Sequence, residues 1–121
     1  MCPGNQESAG KRYSGKTRKG DPWLREALVE AALSAGRTRD TYLAAQYRRL
    51  VARRGKKTAA VAVAHTILVV VYHLLTRGQD YVDLGSTYFD ERDRQAVQRQ
   101  LVRRLEALGL KVTVEPTTPA A

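Results

Sequence analysis

The sequence predicts a mainly α fold: a compact bundle of about four helices with a basic N-terminal loop and one short C-terminal strand. Apolar residues recur at helical spacing in four segments, and glycines at 36, 55 and 109 separate or end them. Strand periodicity occurs in one place, where Leu110, Val112 and Val114 alternate with polar residues. The organisation that follows is a basic arm over residues 1–20, a helical domain over 21–109, and a short strand with a disordered tail over 110–121.

Residues 1–20 hold five Lys or Arg, five Gly or Pro and little that can pack, so they read as a loop ordered only if something holds it. Asp21 and Pro22 then start a helix. Aspartate accepts a backbone N–H at the cap, and proline has none to leave unpaired. Leu24, Ala27, Leu28, Ala31 and Ala35 form its stripe, widened by Val29, Ala32 and Leu33, which predicts a central helix ended by Gly36. The second helix is expected over residues 38–54, with Leu43, Tyr47, Leu50 and Val51 on one face. A third, over about 58–76, is apolar nearly all round and should be the hub of the fold. Residues 77–89 read as irregular. Asp90 should cap a fourth helix, with Asp93 strengthening the start, a stripe of Val97, Leu101, Leu105 and Leu108, and Gly109 as its stop.

The chain has 121 residues, a net charge of +9 and a pI near 10.1, which suits a polyanionic partner, nucleic acid first and an anionic membrane second. A single cysteine, Cys2, excludes an intrachain disulfide and fits a reducing cytoplasm. The run from 59 to 75 is 17 residues and includes His65, Thr66, Tyr72 and His73, whereas spanning takes about 20 apolar residues, so it reads as a buried core helix with no membrane partner. His65 and His73, about 80° apart around a helix, have no Cys or carboxylate at ligand spacing and read as core or rim histidines; the site prediction contains no metal ligand. Asp80, Asp83, Asp90, Glu91 and Asp93 match no calcium loop and read as caps and solvated loop groups. Trp23 and Tyr47 read as core.

Ser8 stands in a glycine-rich, cation-rich loop directly ahead of the first helix start. Backbone N–H groups and cations attract a phosphodiester there, and a hydroxyl attacks phosphorus once a base or metal assists it. A loop serine that only caps locally is the plain alternative. Lys11, Arg12, Lys16, Arg18 and Lys19 are the expected DNA-backbone contacts, with Arg25 one turn into the first helix. Arg48, Arg49, Arg53, Arg54, Lys56 and Lys57 are dense enough to hold a strand, or equally to form a solvated face.

The order of these motifs resembles the C-terminal, serine-bearing domain of bacterial insertion-sequence transposases, the bridge-RNA-guided recombinases. Met1-Cys2-Pro3 looks like the middle of that family's opening motif. Ser8 falls on its serine, Lys19-Gly20-Asp21-Pro22-Trp23-Leu24-Arg25 on its helix start, and Leu28-Val29-Glu30-Ala31-Ala32 on its alanine-rich helix. Asp21 stands where the family more often has asparagine, and Ala9 separates Ser8 from Gly10. The resemblance implies that Ser8 attacks a DNA phosphate and holds the strand as a phosphoserine. It also implies an N-terminal RuvC-like domain whose DEDD carboxylates hold Mg²⁺, a guide RNA, and a homo-oligomer when full length. On that reading this chain is a truncated, cytoplasmic, nucleoid-associated fragment with no cofactor of its own, inactive alone. The other functions left open are a non-enzymatic basic helical nucleic-acid-binding protein and a decaying mobile-element remnant.

Overall fold

A computed structural model describes residue 2 and residues 4–117. Met1 and Pro3 of the opening motif, and residues 118–121 of the expected disordered tail, lie outside the described residues.

The chain is mainly helical, as its periodicity predicts, and the β structure lies at the other end from the one expected. The basic arm contains a two-stranded antiparallel hairpin, β1 (Gln6–Ser8) and β2 (Lys11–Ser14). Ser8 pairs with Lys11 and Glu7 with Arg12, so Ala9 and Gly10 form a two-residue turn with φ of 51° and 74°. Positive φ at both central positions is what a hairpin turn matched to strand twist requires. Glycine adopts it freely; alanine pays a steric penalty of roughly 1 kcal/mol. Ala9→Gly is therefore expected to slow amide exchange across the hairpin, by an effect of about 0.5–1 kcal/mol, and faster exchange would contradict the turn. The segment after β2 runs beside the start of the chain: the Arg18 amide donates to the Cys2 carbonyl at 3.1 Å.

The first of two compact units ends at Thr87 and contains the hairpin and three helices. Helix α1 (Pro22–Arg37) starts as expected, with the Asp21 carboxylate accepting from the Trp23 and Leu24 amides at 2.9 and 3.3 Å. It does not stop at Gly36. That glycine lies inside the helix, where a Cβ would come within 2.6 Å of the Tyr47 ring, so its role is close packing. Helix α2 (Tyr42–Arg54) begins four residues later than expected. The Thr38 hydroxyl donates to the Ala35 carbonyl at 2.7 Å, and the Thr41 hydroxyl accepts from the Ala44 amide at 3.3 Å. These local side-chain bonds end one helix and start the next.

Helix α3 (Lys56–Arg77) packs on both α1 and α2 and is the hub, as its composition predicts. Leu28, Ala32, Val63 and Ala64 form the centre, with Val29, Leu43, Tyr47, Leu50, Ile67 and Leu68 packed around them. Ala44, Ala59 and Ala60 are buried as well, so the helices meet over small side chains, and Val63 is the largest side chain fully enclosed. Helix α1 is less central than its wide stripe suggests, because Leu24, Ala27 and Ala31 are exposed.

The apolar run of α3 is buried over its first half only. Val69, Val71, Tyr72 and Leu75 are exposed, Leu75 to 80%. By length and composition alone, Lys56–Arg77 is long and apolar enough to cross a membrane. After α3, Asp83 ties the connecting loop to α2: its carboxylate accepts from the Tyr42 amide at 3.0 Å, the Gly85 amide at 2.7 Å and the Tyr81 hydroxyl at 3.3 Å. A carboxylate at a helix N-terminus is electrostatically well placed, which accounts for this aspartate without a metal. Burial, then the nearby Asp83 charge, push the Tyr81 phenol above its ordinary value, so it remains a neutral donor.

The second unit begins at Tyr88 and holds α4 (Tyr88–Arg92) and α5 (Arg94–Ala107). Asp90 does not cap the long helix; it lies within α4, and Asp93 occupies the cap position of α5. The helix stops as expected, with Gly109 at φ 84°. Of the expected stripe, Val97 is half-buried while Leu101, Leu105 and Leu108 are exposed. Residues 110–117 form no strand. Alternation supplies a face but no ladder, and an extended segment without a neighbouring strand leaves its backbone groups unpaired.

Candidate nucleic-acid interface

Cross-strand pairing fixes what stands around Ser8. It is exposed at the end of β1, and directly opposed residues of an antiparallel pair share one face, so Ser8 and Lys11 lie side by side with Cβ atoms about 5 Å apart. Glu7 and Arg12 form the next pair, on the opposite face. Ser8 thus stands at the end of a regular strand with Lys11 as its cross-strand neighbour, where sequence reasoning placed it in an irregular loop. Ser14 differs in this respect. It is half-buried, and its hydroxyl accepts from the Lys16 amide at 3.2 Å.

The remaining predicted cations divide into two groups. Lys16 and Arg25 line an open groove of about 670 Å³ between the segment after the hairpin, α1, α2 and the start of α3. Lys57 joins them, and Gln46, Thr17 and His65 line the same groove. Lys11, Arg12, Arg18 and Lys19 are exposed and are not among its lining residues. Nor are Arg48, Arg49 and Arg53. Arg48 donates to the Thr38 carbonyl at 3.3 Å, which turns it onto the α1–α2 connection. Both histidines are exposed, which suits rim positions. Among the described residues no three of His, Cys, Asp and Glu converge as a metal site.

Two features escaped the sequence reading. Trp23, expected in the core, is 80% exposed in the first turn of α1, and Tyr13 on β2 is 66% exposed. Exposed aromatics among Lys and Arg suit stacking on bases. Tyr13 had a signal, since it interrupts a basic stretch too poor in apolar residues to bury it, whereas Trp23 begins an apolar helical stripe and had none. The groove itself had no sequence signal, because its walls come from four separated segments.

The hairpin, the basic segment, α1 and the first half of α2 are also where this chain has a counterpart. Residues 1–48 match the model of the Transposase IS116/IS110/IS902 family. No curated protein and no solved structure matches the chain. The transposase-like segment covers 48 of 121 residues and includes Ser8, Lys16 and Arg25. It supports a function related to insertion-sequence transposases, with DNA as the partner that such a family implies. Lys57 lies beyond the matched residues, so the groove combines the transposase-like segment with α3.

Proposed function

We propose that this chain is a DNA-binding, serine-bearing component of an insertion-sequence transposase, with Ser8 as the nucleophile. The observation that carries the reading is the exposed Ser8 in register with Lys11, inside the segment that matches the transposase family. In the reaction the Ser8 Oγ forms a bond to phosphorus and one phosphoester bond of the strand breaks. The serine proton passes to solvent or a base, and the departing strand oxygen takes up a proton. Lys11, the cross-strand neighbour of Ser8, offsets the charge that builds on the phosphoryl oxygens. The chemistry is completed by a RuvC-like domain and directed by a guide RNA.

Binding is tested with the 121-residue chain and a fluorescent duplex over a salt series. If Lys11, Arg12, Lys16, Arg25 and Lys57 each displace one counterion, log K should fall against log salt with a slope of about −4.5. The single tryptophan, Trp23, should lose fluorescence on binding single-stranded DNA, and Trp23→Ala should weaken that binding by roughly 10-fold. Affinity that does not change with salt removes every nucleic-acid reading. A second reading, a basic nucleic-acid-binding module without chemistry, draws on α5, where Arg99, Arg103 and Arg104 line an open surface with no nucleophile among its lining residues. It predicts salt-dependent binding that is indifferent to Ser8→Ala, and no covalent product.

A further inference from the structure

The groove contains more than a rim of positive charge. The start of α3 breaks the local rules of helix stability: Gly55 supplies no side-chain cap, and the first turn has no acidic residue and begins Lys56-Lys57. Uncapped amides and the positive end of the helix dipole disfavour lysines, so the arrangement lowers stability unless an anion sits there. Lys57 and Thr58 of that turn line the groove, opposite Lys16 and Arg25.

Two of the groove-lining residues each have a buried polar atom without a partner: the Thr17 hydroxyl oxygen and Oε1 of Gln46. Nε2 of Gln46 donates to the Thr66 hydroxyl at 2.9 Å, and that hydroxyl donates to the Ala62 carbonyl at 3.2 Å. Turning the amide over would only exchange which of its two ends lacks a partner. Each unpaired buried group is a cost that a ligand could relieve by drawing the side chain round to the groove. The surroundings are apolar, with Leu50, Val61 and Ala62 on the same walls.

Cations and uncapped helix-start amides, together with unpaired hydrogen-bonding atoms and aliphatic walls in one groove, match a nucleotide: a phosphate joined to a flat, polar-edged ring. At about 670 Å³ the groove falls in the size range of small-ligand sites. We propose that it takes one unpaired nucleotide of a nucleic acid strand, the phosphate at the start of α3 and the base edge on Gln46 and Thr17. A base inside a duplex cannot present that edge, so the site selects bulged or single-stranded positions. This inference rests on the nucleic-acid reading above and adds what is read within the strand.

The test uses the full chain and three labelled duplexes of one sequence: perfectly paired, carrying a single-base bulge, and carrying an abasic bulge. The bulged duplex is expected to bind about 10-fold tighter than the other two. Gln46→Leu and Thr17→Val should each remove most of that preference and leave the perfect-duplex affinity and its salt slope unchanged. Thr17 lies outside the helices, so it decides the matter if Gln46→Leu disturbs folding. The same set built in RNA identifies the source of the nucleotide, and a preference in either form supports the site. Salt-dependent binding with equal affinity for all three duplexes, in DNA and RNA, overturns this proposal alone. Binding to none of them overturns the nucleic-acid reading with it.

Discussion

Ser8→Ala is expected to abolish a covalent protein–DNA adduct while leaving fold and duplex affinity unchanged. The reaction mixture contains the chain, a separately supplied RuvC-like domain, guide RNA and supercoiled donor and target DNA. The adduct is read on a denaturing gel and mapped by mass spectrometry. Removing a nucleophile should lower adduct formation by on the order of 10³-fold or more, because no covalent route remains. Stability should change by less than about 0.5 kcal/mol, since the residue is exposed and its substitution leaves the turn intact. Loss of the adduct therefore cannot be attributed to unfolding. Ser14→Ala is the matched comparison: it is the other serine of the hairpin, but its hydroxyl is engaged with the Lys16 amide. An adduct that survives Ser8→Ala, or maps to Ser14, ends the nucleophile assignment.

The second large effect concerns Gly36. Replacing a helical glycine by alanine ordinarily stabilises by up to about 1 kcal/mol. Here the added Cβ meets Cδ1 of Tyr47 at 2.6 Å and Cγ at 2.8 Å. Tyr47 packs against the central cluster, so its ring cannot swing away without exposing apolar surface. Overpacking of this kind costs about 1–3 kcal/mol, which outweighs the propensity gain. Gly36→Ala should lower Tm by several degrees, and Gly36→Val by more, since about 1 kcal/mol corresponds to 4–8 °C in a unit of this size. Adding Tyr47→Leu should restore part of the loss, a coupling that a double-mutant cycle measures. A rise in Tm for Gly36→Ala would show that α1 and α2 do not meet as described.

Much of the fold was legible because helix signals are local. Asp21-Pro22 marked a start, Gly109 a stop, and the apolar density of residues 58–76 identified the hub, although only its first half is buried. The errors came where partners at a distance decide. Leu110 to Val114 has the right period for a strand and no ladder to join. Residues 6–14 have little apolar pattern, yet a two-residue turn at Ala9-Gly10 closes them into a hairpin. Trp23 was assigned to the core on chemical type, whereas its place in the first turn of α1 leaves it exposed.

The candidate site divides in the same way. Positive charge, the serine among glycines and the helix start behind it are properties of consecutive residues, so the sequence alone determined the surplus of cations and the position of the serine proposed as nucleophile. Which cations act together was decided by tertiary structure. Packing of α3 against α1 and α2 brings Lys57 to Arg25 and Lys16 and leaves Arg48 turned onto the α1–α2 connection. The physical reason is that charge is written residue by residue, while a groove exists only between surfaces that burial has already brought into contact.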